Sequence, residues 1–238
     1  MSNVILKNVR KTYDNNKTVI KNVSLEIKDK EFVVLVGSSG CGKSTLLRMI
    51  AGLEDITSGE IYIGDKKVND VPPKDRDIAF VFQSYALYPH MTVRENIAFG
   101  LKMRKVDKAI IEKKVQEAAE ILNLGEYLDR KPKQLSGGQR QRIVIARALI
   151  LNPEFIVCDE PVSALDVSIQ AQILNLLRSL QKDLGLTCMF VGHGLGAVNY
   201  VSDRIAVMYL GKIVEIGPAQ EVFHHPVHPY TRALIDAV

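Results

Sequence analysis

Four short apolar runs punctuate the chain, at residues 32–36, 78–82, 155–158 and 188–191. Runs of this length, bounded by turn residues, predict strands buried on both faces. Near the N-terminus the pattern changes to alternation. Val4 and Leu6, then Val23, Leu25 and Ile27, recur every second residue, predicting strands over 3–12 and 18–27. Asp14-Asn15-Asn16 between them is hairpin chemistry. Residues 59–65 predict a strand and tight turn, 71–74 a loop, and 204–210 with 212–216 a strand pair meeting at Gly211-Lys212.

Helical spacing predicts a helix over 43–51 stopped at Gly52, and others over 93–105, 109–124 and 135–150. In the second of these later helices the apolar face is Ile111, Val115, Ala118, Ala119 and Leu122. A further helix over 168–184 carries Ile169, Ile173, Leu176, Leu177, Leu180 and Leu184 on one stripe. The tail reads as short helices broken by Pro218, Pro226 and Pro229. Buried strands alternating with helices predict an α/β fold on a parallel sheet. The helical stretch 84–134 reads as an insertion hung on that core.

Composition narrows the class. With 238 residues and 47% hydrophobic content, the chain can bury one large α/β domain or two small ones. A net charge of +4 demands no nucleic-acid partner. The basic excess is local, with 12 Lys/Arg against 6 Asp/Glu in residues 101–150. That is a solvated helical face or a surface for anionic lipid or an acidic partner. Cys41, Cys158 and Cys188 are odd in number and lack metal spacing, so they read as buried thiols in a reducing compartment. The N-terminus is unlike a signal peptide. No apolar run approaches the ~18 residues of a membrane-spanning helix, so any membrane role is expected through a partner.

Gly37-Ser38-Ser39-Gly40-Cys41-Gly42-Lys43-Ser44-Thr45 fits G-x-x-x-x-G-K-[ST] without a gap, between a predicted strand and a predicted helix. Glycines let backbone N–H groups curl round a phosphate, and the helix N-terminus adds partial positive charge. Lys43 would reach the β- and γ-phosphates, and the Ser44 hydroxyl would ligate Mg²⁺.

The four buried strands end in Gly37, Gln83, Asp159-Glu160 and His193. Ligands bind at that edge of an open parallel sheet, so these groups are expected to share one pocket. Asp159 would hold Mg²⁺, and Glu160 would orient and deprotonate the attacking water. Gln83 can touch both metal and water, and His193 can donate to the γ-phosphate. Each residue alone has an ordinary explanation as a helix cap or polar surface. Their joint placement points to an NTPase.

On these residues the chain resembles the nucleotide-binding subunit of an ATP-binding cassette transporter along its whole length. The motifs are the Walker A loop 37–45, the Q-loop Gln83, the signature Leu135-Ser136-Gly137-Gly138-Gln139, Walker B 155–160, the D-loop Ser163-Ala164-Leu165-Asp166 and the H-loop His193. Tyr13 matches the adenine-stacking aromatic. The resemblance implies a P-loop NTPase (RecA-like) core with an antiparallel β subdomain and an inserted α-helical subdomain. Residues 1–83 and 149–238 would form the core, and 84–148 the helical part. It implies ATP and Mg²⁺ as cofactors and ATP hydrolysis as the activity. Ser44, Gln83 and Asp159 would be the metal ligands.

The signature is itself an anion site at a helix start, and the chain already has one phosphate loop. It would therefore serve ATP held by a second copy, through Ser136, Gly137, Gly138 and Gln139, with Asp166 beside them. That implies a head-to-tail homodimer. The further partners implied are transmembrane permease subunits and, indirectly, a solute-binding protein, with no nucleic acid. The location implied is cytoplasmic, peripheral on the membrane.

The resemblance shifts along the chain. Residues from about 31 to 145 look like sugar-importer subunits, as in Val71-Pro72-Pro73-Lys74-Asp75-Arg76-Asp77-Ile78. From about 148 onward they look like dipeptide and oligopeptide importer subunits, as in Ala164-Leu165-Asp166-Val167-Ser168-Ile169 and His228-Pro229-Tyr230-Thr231. An engineered chimera, a designed sequence or a natural mosaic would all look this way, and the solute type, sugar or peptide, stays open. Gly192 and Gly194 stand where the family has Ser or Thr and Asp around the histidine. The alternative class is a soluble cassette ATPase not coupled to transport, including one acting on nucleic acid or ribosomes. A P-loop kinase is disfavoured by Glu160 together with the signature.

Overall fold

The structure is a computed structural model, and it describes residues 3–192 and 195–237. Its elements in chain order are β1 (Val4–Thr12), β2 (Thr18–Ile27), β3 (Phe32–Val36), α1 (Lys43–Ala51), β4 (Ser58–Ile63), β5 (Lys66–Lys67) and β6 (Ile78–Val81). Then follow α2 (Val93–Met103), α3 (Lys108–Ile121), α4 (Gly137–Leu149), β7 (Phe155–Asp159), α5 (Val167–Leu184), β8 (Thr187–Val191) and α6 (Leu195–Val201). The chain finishes with β9 (Arg204–Tyr209), β10 (Lys212–Pro218), α7 (Ala219–His224) and α8 (Pro229–Asp236).

Two sheets divide the strands. The alternating N-terminal segments pair antiparallel in the order β2-β1-β4-β5, with Val4 opposite Ile27 and Leu6 opposite Leu25. The apolar runs form a six-stranded sheet, β10-β9-β3-β8-β7-β6, in which only β10 is antiparallel. β3 and β8 are buried at every position, which is why their sequences do not alternate. The pleat still sorts their side chains by period two. Val33 and Leu35 enter a core with β1, β2 and α1, whereas Phe32, Val34 and Val36 enter a larger core under α2, α3, α4 and α5.

The structure corrects several readings of the sequence. β6 is an edge strand with Ile78 and Phe80 half-buried, not a strand buried on both faces. Leu184 ends the α5 stripe half exposed, at the rim of a surface hollow that it shares with Ala118, Leu122 and Leu149. Pro73 and Lys74 of the expected loop form, with Asp75 beyond it, a single 3₁₀ turn. Pro229 begins α8 at its first turn, where a missing N–H costs nothing, so it starts a helix. All three cysteines are free and buried.

Candidate phosphate site

β3 ends at Val36, and the chain turns through Gly37 into the loop. Gly37 has φ 152°, and a Cβ there would lie 2.1 Å from the Met208 carbonyl oxygen of β9. Gly42 has φ 109° and is the N-cap of α1; its Cβ would lie 2.8 Å from Ile20. Only glycine fits both places. The loop lines a hollow of about 340 Å³ with Val19, Ser39, Gly40, Gly42, Lys43, Ser44, Thr45, Gln83 and Glu160. Strand ends separated by more than a hundred residues therefore converge as the parallel-sheet rule requires.

Lys43 is almost fully buried. Its ammonium donates to the carbonyls of Gly37 (2.8 Å) and Ser38 (3.0 Å), bracing the loop from within. The Ser44 hydroxyl donates to Asp159 Oδ1 at 2.9 Å. Burial pushes the Asp159 carboxyl above its ordinary range; the Ser44 hydrogen bond opposes this and the Glu160 charge adds to it. A carboxylate whose ionised form is disfavoured by burial gains from a cation beside it. Ser44, Asp159 and Gln83 offer hydroxyl, carboxylate and amide oxygens, a hard donor set for Mg²⁺ that leaves places for phosphate oxygens. No group of three or more His, Cys, Asp or Glu side chains is placed for metal binding among the described residues.

Gln83 Nε2 donates to Glu160 Oε2 at 3.2 Å and to Ser163 Oγ at 3.4 Å. Ser163 Oγ donates to the Glu160 carbonyl at 3.1 Å. Glu160 has φ 49°, a left-handed backbone that turns its side chain out of the strand line. Ser163 is the residue that strand-end reasoning leaves out; its place three positions after Glu160 in the D-loop was the available signal.

Tyr13 lies at the end of β1, 37% exposed, with the Lys11 ammonium 4.9 Å from its ring centre, and is not among the residues lining the hollow. His193 and Gly194 lie outside the described residues.

Ser136 caps α4. Its hydroxyl accepts from Gln139 N–H (3.2 Å), and Gln139 Oε1 accepts from Ser136 N–H (2.8 Å). A Cβ on Gly137 would lie 2.8 Å from Leu165 Cδ2, and one on Gly138 2.9 Å from Ile169 Cγ2. The signature glycines thus also permit close packing within the chain. Asp166, at the N-cap of α5, is exposed, as are Ala164 and Val167 around it.

A family model described as "ABC transporter" matches residues 20–163, and one described as "Oligopeptide/dipeptide transporter, C-terminal region" matches 214–238. The chain is 52% identical over 235 residues to sn-glycerol-3-phosphate import ATP-binding protein UgpC of Brucella abortus, covering 99% of this chain and 67% of that protein. The UgpC protein of Jannaschia sp. is 50% identical over 237 residues, covering 100% and 68%. The chain thus spans about two thirds of the length of these relatives. Their likeness runs through both the sugar-type and the peptide-type stretches. A solved structure described as the dimeric post-hydrolysis state of the ATP-binding cassette MJ0796 bound to ADP and Pi aligns with TM-score 0.81 and 37% identity, covering 91% of this chain and 98% of that one.

Proposed function

Because the chain belongs to the ABC transporter family, we propose that it is the ATP-hydrolysing subunit of a membrane importer, acting as a head-to-tail dimer. The observation that carries this is the single hollow into which three separate strands deliver Lys43, Ser44, Gln83 and Glu160, with Asp159 bonded to Ser44. The chain binds ATP with Mg²⁺. Ser38 to Thr45 form the phosphate loop, with the cradle built from Ser39 onward. Lys43 exchanges one loop carbonyl for the β- and γ-phosphates. Tyr13 stacks on the adenine.

Ser44, Gln83 and Asp159 would hold Mg²⁺, which would supply positive charge to offset that of the phosphates. Glu160 accepts the proton of the attacking water, steadied through its carboxylate by Gln83. His193 supports the γ-phosphate. Ser136, Gly137, Gly138 and Gln139, with Asp166, complete the site of the partner copy. That the neighbouring MJ0796 structure is dimeric and holds ADP and Pi supports the pairing.

Residues 84–148 serve as the helical part that faces permease subunits, with 1–83 and 149–238 as the catalytic core. Among the described residues no helix is long and apolar enough to cross a membrane. In this reading the chain works from the cytoplasmic face through those subunits, as expected of an import ATP-binding protein. Relatives named as sn-glycerol-3-phosphate import proteins support import and a permease of the sugar-importer class, with the solute delivered by a separate binding protein.

The test uses Glu160→Gln in the full chain. ATP should still bind and should shift the chain to a dimer in gel filtration, while turnover falls by about two orders of magnitude or more. Adding Ser136→Arg should leave monomers. Turnover within about threefold of the parent, or a dimer that persists despite Ser136→Arg, would sink the reading.

A further inference from the structure

The phosphate loop has two faces, and only one lines the hollow. Ser38 is outside the lining, and its backbone N–H donates to the Tyr230 hydroxyl at 2.7 Å, a partner 192 positions away. The Tyr230 ring stacks on Tyr209 at the end of β9, with centroids 4.2 Å apart. Two residues beyond Tyr209, Gly211 N–H donates to the Cys41 carbonyl at 3.1 Å, and Gly211 O accepts from Lys21 N–H at 2.7 Å. Met208 O closes against Gly37. The back of the loop is thus gripped by the β9–β10 turn on one side and by α8 on the other.

The grip on the α8 side is built residue by residue from His228-Pro229-Tyr230. His228 is the N-cap, with Nδ1 accepting Tyr230 N–H at 3.1 Å. Pro229 fixes the first turn of the helix. Glu215 on β10 accepts the N–H groups of Val227 and His228, both at 2.9 Å, and so sets the entry to α8. Arg232 Nε returns to the Pro226 carbonyl at 2.9 Å. With the helix start held at these points, the Tyr230 hydroxyl is presented to Ser38 with little freedom to lose.

We propose that Tyr230 is a positioning residue for the phosphate loop, and that docking of the C-terminal helix and ATP binding are thereby coupled. The proposal rests on the ATP site described above. A loop with its outer N–H already bonded pays less ordering cost when phosphate enters. By reciprocity, nucleotide in the hollow tightens the tail, and anything that lifts the tail weakens nucleotide binding.

Tyr230→Phe in the full chain removes one oxygen and keeps the ring on Tyr209. The expected result is a rise of about three- to tenfold in the ATP KM and dissociation constant, with kcat within about twofold. Amide exchange over residues 37–41 should be faster in Tyr230→Phe without nucleotide, and the thermal midpoint should move by less than about 2 °C. In the parent, ATP should slow exchange over 226–237, and in Tyr230→Phe this protection should shrink. Unchanged KM together with unchanged exchange in the loop would overturn the proposal and leave Tyr230 as packing. If the parent chain fails to bind ATP, the functional reading fails instead. The exchange comparison without nucleotide then decides by itself whether the hydroxyl holds the loop.

Discussion

At the starting ends of β3, β8 and β9, polar side chains satisfy one another. At the finishing edge of the same sheet they surround a hollow. The starting edge is closed by Arg178, whose Nη1 and Nη2 donate to the two Asp203 oxygens at 3.0 and 2.5 Å. Asp203 Oδ2 also accepts the N–H of Phe32, the first residue of β3, at 2.8 Å. Arg204 meets both oxygens of the buried Glu31 at 3.3 Å, and Glu31 Oε2 accepts Lys28 N–H at 2.8 Å. Gln181 and Thr187 take the carbonyl and N–H of Lys30.

The finishing edge instead carries a lysine braced on its own loop, in a site open to a ligand. The sheet therefore keeps its stabilising electrostatics at one edge and its reactive groups at the other. Changes at the two edges should separate, with binding and turnover lost at one and stability at the other.

The largest separation is expected for Lys43→Ala. It removes the charge that meets the phosphates, and ATP affinity should drop by about a hundredfold or more. The thermal midpoint should stay within about 4 °C, because the substitution removes two hydrogen bonds within one loop and also removes a buried charge, whose desolvation opposes folding. Equilibrium ATP binding and a melting curve check both halves. Unchanged affinity would remove Lys43 from the site, and a collapse of the fold would break the division between the edges.

The second expectation reverses the pattern. Arg178→Met leaves Asp203 with the Phe32 N–H but without its guanidinium, and should cost about 1–2 kcal/mol after allowance for partial exposure. At this length that is about 2–8 °C in thermal midpoint. ATP KM should stay within about twofold. A tenfold rise in KM would show that the edges communicate through the strands.

The two edges also differed in how far the sequence revealed them. The finishing edge was legible because each functional group follows an apolar run. Once 32–36, 78–82 and 155–158 are strands, one rule brings Gly37, Gln83 and Asp159-Glu160 together. Those runs are continuous because the central strands are buried on both faces. The same logic overreached at β6, where Phe80 and Phe82 read as interior while Phe80 is half-buried at the sheet margin and its ring lies 4.4 Å from that of Phe82. The starting edge was invisible, since Asp203 and Phe32 are 171 positions apart and no local pattern joins Arg178 to Asp203. His-Pro-Tyr was recognised as a family motif, but its contact with Ser38 needs the fold of β9, β10 and α8.

The smallest effect concerns pH at the starting edge. Burial by itself raises the Asp203 carboxyl, but Arg178 and the Phe32 N–H outweigh it, so the group titrates below its ordinary value. A carboxylate depressed in the fold contributes stability above the pKa of the unfolded chain, about 3.9 for Asp, and loses it as pH falls through the folded value. Asp203→Asn keeps one acceptor for Phe32 and removes the charge. At pH 7 it should melt a few degrees below the parent, by less than Arg178→Met, because partial exposure screens the pair. As pH falls below about 3.9 and on through the lowered folded value, the parent should lose this advantage, and the two melting temperatures should approach each other. High salt at pH 7 should narrow the gap as well. A gap that is the same at pH 7 and pH 3 would mean that shape, and not charge, secures the start of β3, and the electrostatic contrast between the edges would fall with it.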